Sequence, residues 1–477
     1  MTWFRQRSNL SLRLARWLLV LWGATIWACP APAAVPAPAA VTVVGLDAEG
    51  TPQRHGMGVI LENGLVLSSN SILGADGLAV IKTADGTLHL SKPPLWQDFL
   101  QGLCLLEVEG LAVSSPLQPA QGKWRPPLKV GLAVLTGKGP SLTEGTITGV
   151  LALSPRITLL KITSGDIQIM DGTPVFSGDG RLLGMYHDFA DLRLCLALNS
   201  QDLPKKIQRR EAGTSITATA PTPLPPEVYQ AFWEGVAASL REDWSKAGEH
   251  FDAALKNEAV LPEAALGRGV ARQHLKDNIG AILDCQKALK WEPGYALAYF
   301  WLGRAQEESG LLTEAATAYH RAKELAPDMR EPWLHLGLLA YRGGKLATAK
   351  EFLQQVPDDF PQALEKWWRL GQIYLTEQRW EEAQEAFGHA LSLRPNYLPA
   401  LVERGKLLVK LGRPEEAIPL LEQAVAQQPE QTHIRYHLAL AYHFSWRQAA
   451  AWEEYWKLRR QHSALAPRLA ALLENQH

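Results

Sequence analysis

From Gly235 onward a small residue returns every 34 positions: Gly235, Gly269, Gly303, Gly337, Gly371 and Gly405, with Ala439 in the next place. Twelve residues after each stands an alanine, running through Ala247, Ala281, Ala315, Ala349, Ala383, Ala417 and Ala451. Four residues further on comes a larger side chain: Phe251, Cys285, Tyr319, Leu353, Phe387, Leu421 and Tyr455. Pro293, Pro327, Pro395 and Pro429 end units in the same phase. A unit of this length is a helix pair that cannot bury its apolar face alone, so copies must stack. Small residues at fixed phase let two helices cross closely, and the larger ones fill the space behind. Seven such units occupy 227–465, and 466–477 reads as a capping helix.

Residue type and period together resemble the tetratricopeptide repeat, most clearly in "EPWLHLGLLAYRGGKLATAKEFLQQ" and "EKWWRLGQIYLTEQRWEEAQEAFGHALSLRPNY". The fourth unit departs at its end, where Pro357 and Pro361 in "VPDDFPQ" come early and imply a local change of curvature, and the seventh lacks the glycine. The resemblance implies a superhelix with a groove lined by the first helix of each unit. In this chain the lining positions are Phe300, Arg304, Glu307, Leu334, Tyr341, Trp368, Gln372, Val402, Lys406, Tyr436 and His443. Mixed aromatic, apolar and charged side chains suit a protein or peptide partner better than a compact metabolite. Trp333 and Trp367 hold the family's large packing position, whereas Trp368 is an interface anchor. His433, His437 and His443 lack the cysteine or carboxylate partners of a metal site.

Between residues 41 and 210 the pattern changes to short apolar runs broken by "NG", "DG" and "GDG" turns, an all-β signature, with "LPKKIQRR" as a closing helix. The order of "GMGVILENGLVLSS", "GLCLLEVEG", "TEGTITGVLAL" and "MDGTPVFSGDGRLLGM" resembles the trypsin-like double β-barrel of HtrA-type serine proteases. That resemblance implies a histidine, an aspartate and a serine at three positions, because peptide hydrolysis needs a nucleophile, a base and a group orienting the base. Here those positions hold Ser71, Gly102 and Asp171. His55, His89 and His187 read as loop or strand-edge residues, and a carboxylate at Asp171 would repel an anionic intermediate. A degenerate protease domain follows, joined to the repeats by a Pro/Thr/Ala-rich linker at 211–226.

The first 33 residues carry Arg5, Arg7, Arg13 and Arg16 before an apolar run from Trp17 to Ala28, the order of a secretory signal. Three endings stay open: cleavage after Ala33 or Ala34, lipidation at Cys29 of "IWAC", or an uncleaved anchor. Each places the bulk outside the cytoplasm, in the periplasm, with membrane contact only through that terminus. Cys104 and Cys195 either pair in that oxidising compartment or sit apart in the core. With 48 basic against 49 acidic residues and a net charge of -1, nothing supports a nucleic-acid partner. No cofactor is called for.

The sequence therefore predicts a multidomain chain, an all-β trypsin-like double barrel followed by an all-α tetratricopeptide superhelix. Its expected role is a non-catalytic adaptor or assembly scaffold of the bacterial cell envelope. The alternative is a periplasmic serine endopeptidase that recruits substrate through its repeats.

Overall fold

The computed structural model describes residues 39–197, apart from 47–51, 63, 74–76, 84–86, 93, 95, 99–102, 110, 112–127, 137–138, 155–156, 165–171, 178–180 and 190–191, and residues 224–474 apart from 257–258. The signal region, Cys29, Gly102, Asp171, "LPKKIQRR" and most of the linker lie outside the described residues. Two compact units divide the chain, Met1–Asp277 and Asn278–His477. Among the described residues no helix is long and apolar enough to cross a membrane.

In the first unit, the described residues form thirteen antiparallel strands in two sheets. One holds β1 (Ala40–Leu46), β2 (Pro52–Glu62), β3 (Leu65–Ser69), β4 (Ala79–Lys82), β5 (Leu88–Leu90), β6 (Trp96–Asp98) and β7 (Leu103–Glu107), in the order β5-β4-β1-β2-β3-β7-β6. The other holds β8 (Leu128–Thr136), β9 (Gly139–Ser154), β10 (Ile157–Ser164), β11 (Pro174–Ser177), β12 (Leu182–Phe189) and β13 (Leu192–Ala197), closed as the barrel β10-β13-β12-β11-β8-β9. Both sheets use one connectivity. The first three strands are successive neighbours, the third pairs with the last, and the fourth returns to pair with the first. This is the return connection of a Greek key, used twice.

Alternation along the strands builds separate cores on either side of these sheets. Cys104 sits with Val41, Val43, Ile60 and Ile81, whereas Cys195 sits with Leu132, Ile147 and Leu160. Both are buried in different cores with no disulfide between them, so the separate-cysteine alternative holds and the disulfide does not. Burial pushes both thiols well above their ordinary range.

Helices begin at α1 (Pro226–Leu240), α2 (Trp244–Ala254) and α3 (Pro262–His274) in the first unit. The second unit contains α4 (Asn278–Trp291), α5 (Ala296–Glu308), α6 (Leu312–Leu325), α7 (Glu331–Arg342), α8 (Leu346–Gln354), α9 (Ala363–Thr376), α10 (Trp380–Leu393), α11 (Leu398–Lys410), α12 (Pro414–Gln427), α13 (Thr432–Phe444), α14 (Gln448–Arg460) and α15 (Ala466–Glu474). The small-to-large pairing read from the period is a direct contact. A Cβ built on Gly303 would lie 2.7 Å from the Tyr319 ring, on Gly337 2.7 Å from Leu353, and on Gly405 2.6 Å from Leu421. Within a unit, then, one helix backbone rests on the side chain sixteen residues later.

The turn inside each helix pair repeats as well. Glu242, Lys276, Gly310, Gly344, Gln378, Gly412 and Trp446 all have positive φ, and they stand 34 residues apart. At Gly310 the amide donates to Glu307 O and the next amide to Gln306 O, closing the helix by a left-handed cap. The early prolines of the fourth unit shorten its second helix to nine residues, α8, against fourteen in α6 and α10. The buried Lys366 secures that stop, its Nζ donating to Val356 O and Asp358 Oδ1 at 2.6 Å each. At the far end, α15 buries Leu469 against Ala439, Ala451 and Leu458.

Candidate functional site

The first helices of the second unit carry the side chains that the period assigns to the groove, and the structure sorts them by size. Phe300 is 5% exposed and Leu334 3% exposed; Val402 is buried too. Phe300 packs between Tyr319 of its own unit and His335 of the next. These three residues are core. His443 is also buried, with Nδ1 3.2 Å from Gln448 Oε1. None of the four offers a partner a useful surface.

Glu307 is spoken for in a different way. Its carboxylate accepts from Tyr319 Oη at 2.8 Å and Arg342 at 2.7 Å, and lies 3.0 Å from His335 Nδ1. Burial would raise its pKa, but the hydrogen bonds from His335 and Tyr319 and the Arg342 charge outweigh that and hold the carboxyl below its ordinary range. Burial, followed by the Glu307 charge and hydrogen bond, pushes the Tyr319 hydroxyl well upward. Glu307 thus ties α5 and α6 to α7.

Half-exposed lining side chains remain on α7 and α9. Tyr341 lies under the Arg369 guanidinium, whose carbon is 5.1 Å from the ring centroid. Arg369 also donates to Glu365 at 2.8 Å and to Gln372 Oε1 at 2.9 Å. Beside it Trp368 meets Phe387 at 5.3 Å and stands edge-on to Tyr397 at 5.7 Å, leaving part of the indole open. Trp367 instead stacks on His389 at 4.2 Å, and Trp333 packs against Phe352, both partly buried beside cores. Further along, Lys406 pairs with Glu403 at 2.8 Å, while Tyr436 is half-buried against the terminal core. Arg304 is half-exposed and pairs with Glu308.

Arg369 and Glu365 belong to this surface and were not among the lining positions read from the sequence. The i−4 glutamate and i+3 glutamine around Arg369 were the available signal, since such spacings meet on a helix. His437 has its pKa lowered to about 4 by burial, aided by the charges of Lys406 and His433.

In the β domain, Ser71 lies in the short helical turn Asn70–Ile72 that follows β3, its amide donating to the capping Ser69 hydroxyl. Its Oγ is 2.8 Å from Ser69 Oγ, and its carbonyl accepts from Arg54. A hydroxyl at this place is no base for a serine nucleophile. Gly172, with φ 76°, lies against Met57 O, and a Cβ built on it would sit 3.2 Å from Ile72. The turn bearing Ser71 and the loop that follows Asp171 in sequence are therefore neighbours where the two sheets meet. His55 is exposed on β2, and His89 is a half-buried residue of the short strand β5.

Comparison with known proteins places the helical part. Residues 281–330, 333–397 and 374–441 match tetratricopeptide repeat family models. Mouse Protein O-mannosyl-transferase TMTC3 is 25% identical over 199 residues, 39% of this chain and 20% of its own length. The Drosophila melanogaster BBSome complex member BBS4 homolog is 24% identical over 170 residues, 33% of this chain and 35% of its own. This chain thus spans only a fifth to a third of the curated relatives it matches. Among solved structures, the C-terminal part of a TPR repeat-containing protein from Cytophaga hutchinsonii aligns with TM-score 0.42 at 15% identity, over 50% of this chain and 98% of that one. A tetratricopeptide repeat protein from Parabacteroides merdae aligns with TM-score 0.36 at 13% identity, over 53% of this chain and all of that one. An N-terminal β-sheet domain is followed here by a C-terminal tetratricopeptide-repeat region.

Proposed function

We propose that the protein is a non-catalytic adaptor or assembly scaffold of the bacterial cell envelope, gripping a partner protein or peptide on the first-helix face of its repeats. The patch of Tyr341, Trp368, Arg369 and Gln372 carries this reading. It offers two aromatic surfaces and a guanidinium held in place by Glu365, the residue types on which protein interfaces concentrate their binding energy. The repeat architecture supports it, because stacked helix pairs present extended faces rather than closed pockets.

The β domain fits the same proposal as a trypsin-like double barrel that has lost catalysis. The shared connectivity of its two sheets and the meeting of the Ser71 turn with the Gly172 loop are the observations in favour. With Ser71, Gly102 and Asp171 at the three catalytic positions, it would serve as a second docking surface, without a cofactor. Export to the periplasm completes the proposal, with cleavage near Ala33 or Ala34, or else a tether at Cys29 or an uncleaved signal.

The test is affinity capture from native envelope extract with the full chain, its Arg369→Glu variant and its Trp368→Ala/Tyr341→Ala variant. A discrete partner held by the parent and lost by still-folded variants is the expected result. Arg369→Glu separates recognition from packing, because Arg369 is not part of a core cluster. Equal recovery by all three chains would reject the patch, and labelling of the chain by a fluorophosphonate serine probe would reject the non-catalytic reading.

A further inference from the structure

Among the described residues, the large aromatic side chains classed as exposed are Phe444, Trp446 and Trp456, all in the seventh repeat. Trp446 is 79% exposed and occupies the left-handed turn position where three other units place glycine. Trp456 is 48% exposed on α14. Its counterparts in the earlier units, Asp252, Gln286, His320, Gln354, Gly388 and Glu422, are all polar or small, so repeat packing does not call for an aromatic there.

Trp456, Arg459 and Arg460 follow the spacing i, i+3, i+4, which puts them on one face of the helix. They line an open surface hollow of about 420 Å³. The Arg459 guanidinium lies 5.2 Å from the Trp456 ring centroid. Several exposed arginines elsewhere in the array are neutralised locally, as in Arg321 with Glu324, Arg379 with Glu382 and Arg413 with Glu416, whereas Arg394 instead lies over the Tyr397 ring. On α14 itself Lys457 is paired with Glu454. Arg459 and Arg460 have no ion pair among the described residues, and segment 444–468 holds five basic against two acidic residues. A helix C-terminus favours cations, which accounts for arginines in its last turn, but not for an indole left in water beside them.

We propose that this hollow is a second docking site, for an acidic peptide segment of a protein partner that seats an apolar side chain on Trp456 and its carboxylates on Arg459 and Arg460. Two features choose a peptide over a lipid surface. The hollow is open and bounded by three side chains of one helix, so it offers room for a single apolar side chain flanked by charge. Its charges are guanidinium forks that match carboxylates bidentately, where a membrane would be served equally by lysine. The site lies on the second helix of the last repeat and does not depend on the Tyr341 and Trp368 patch.

The experiment measures fluorescence anisotropy of a fluorescein-labelled octapeptide of alternating glutamate and leucine, and of its lysine counterpart, with the full chain. Binding of the glutamate peptide is expected, with the lysine peptide at least about tenfold weaker. Arg459→Glu/Arg460→Glu should weaken it about tenfold or more, and Trp456→Ala should weaken it while Trp456→Phe retains it. All these side chains are exposed, so the variants should keep the parent circular dichroism, and only the charge-reversed chain should lose a little of its unfolding midpoint, through carboxylates in the last turn of α14. Trp368→Ala/Tyr341→Ala should bind the peptide as the parent does. No binding at millimolar protein, unchanged binding by the charge-reversed variant, or loss in the Trp368→Ala/Tyr341→Ala chain would each overturn the proposal. So would arginine-dependent sedimentation with phosphatidylglycerol vesicles in the absence of peptide binding.

Discussion

Gly371 and Gly388 lie in one helix pair and should respond to the same substitution with opposite signs. In a helix interior, Gly→Ala is worth about 1 kcal/mol from backbone entropy. At Gly388 on α10 the new methyl would meet only the Arg404 side chain, at 3.4 Å, so Gly388→Ala should stabilise by about 0.5–1 kcal/mol. At Gly371 on α9 the methyl would lie 2.6 Å from Cδ1 and 2.8 Å from Cζ of Phe387, a fully buried ring. Relief requires α9 and α10 to separate, and overpacking of this kind costs about 1–3 kcal/mol. The contacts are short and the ring is held on all sides, so the cost falls at the upper end and Gly371→Ala should lose about 1–2 kcal/mol net. Urea titrations at constant slope would then separate the two variants by about 1.5–3 kcal/mol. Phe387→Leu introduced into Gly371→Ala should recover part of the loss by removing the ring atoms in collision. Stabilisation by Gly371→Ala equal to that of Gly388→Ala would refute the close helix crossing on which the reading of the period rests.

The left-handed turn gives another pair of opposite signs: Gln378→Gly, at φ 58°, should gain about 1 kcal/mol, and Gly344→Ala, at φ 71°, should lose about as much, both read from the urea midpoint. Glu307→Gln keeps the shape but gives up the charge that faces Arg342 and His335, and should cost about 1–3 kcal/mol at neutral pH. Since the Glu307 carboxyl is held below its unfolded value, its contribution is present above that value and disappears as pH falls through the folded one, so the parent and Glu307→Gln should converge in stability in acid. His437, with its pKa lowered to about 4 from an ordinary value near 6.5, binds protons more readily when the chain unfolds. Stability should therefore fall as pH drops from about 6.5 to 4, by about 2 kcal/mol, and His437→Gln should flatten that part of the profile in denaturant titrations.

Which parts of this were visible in the sequence follows from what a period can encode. A position repeated every 34 residues reports a requirement shared by every unit, and the shared requirement is packing. Gly303 on Tyr319 and Gly337 on Leu353 are one solution written twice, so register and helix pairing were open to reading. The left-handed turn is equally periodic but was missed, because Gly310, Gly344 and Gly412 announce it while Glu242, Lys276, Gln378 and Trp446 disguise it. There the cooperative closure of the helix pair overrides the local preference of the side chain. In the β domain, turn dipeptides exposed the strands, but the third-to-last pairing of each sheet is nonlocal and leaves no mark on neighbouring residues.

Function depends on departures from the shared requirement, and the fifth position of the first helix shows how a single place can serve either end. Phe300, Leu334 and Val402 fit the space between their own second helix and the next unit, and they disappear into the core. Trp368 enters the same space, touching Phe387 and Tyr397, but an indole is too large for it and the excess remains in water. Tyr436 overflows in the same manner. A half-exposed face on stacked repeats thus arises where a packing position is occupied by a side chain larger than its slot. Its location is set by volume relative to neighbours rather than by the period, which is why assigning the same repeat position to the groove gathers buried and half-exposed residues alike. The same logic singles out Trp456, which stands where the other units need no bulk at all.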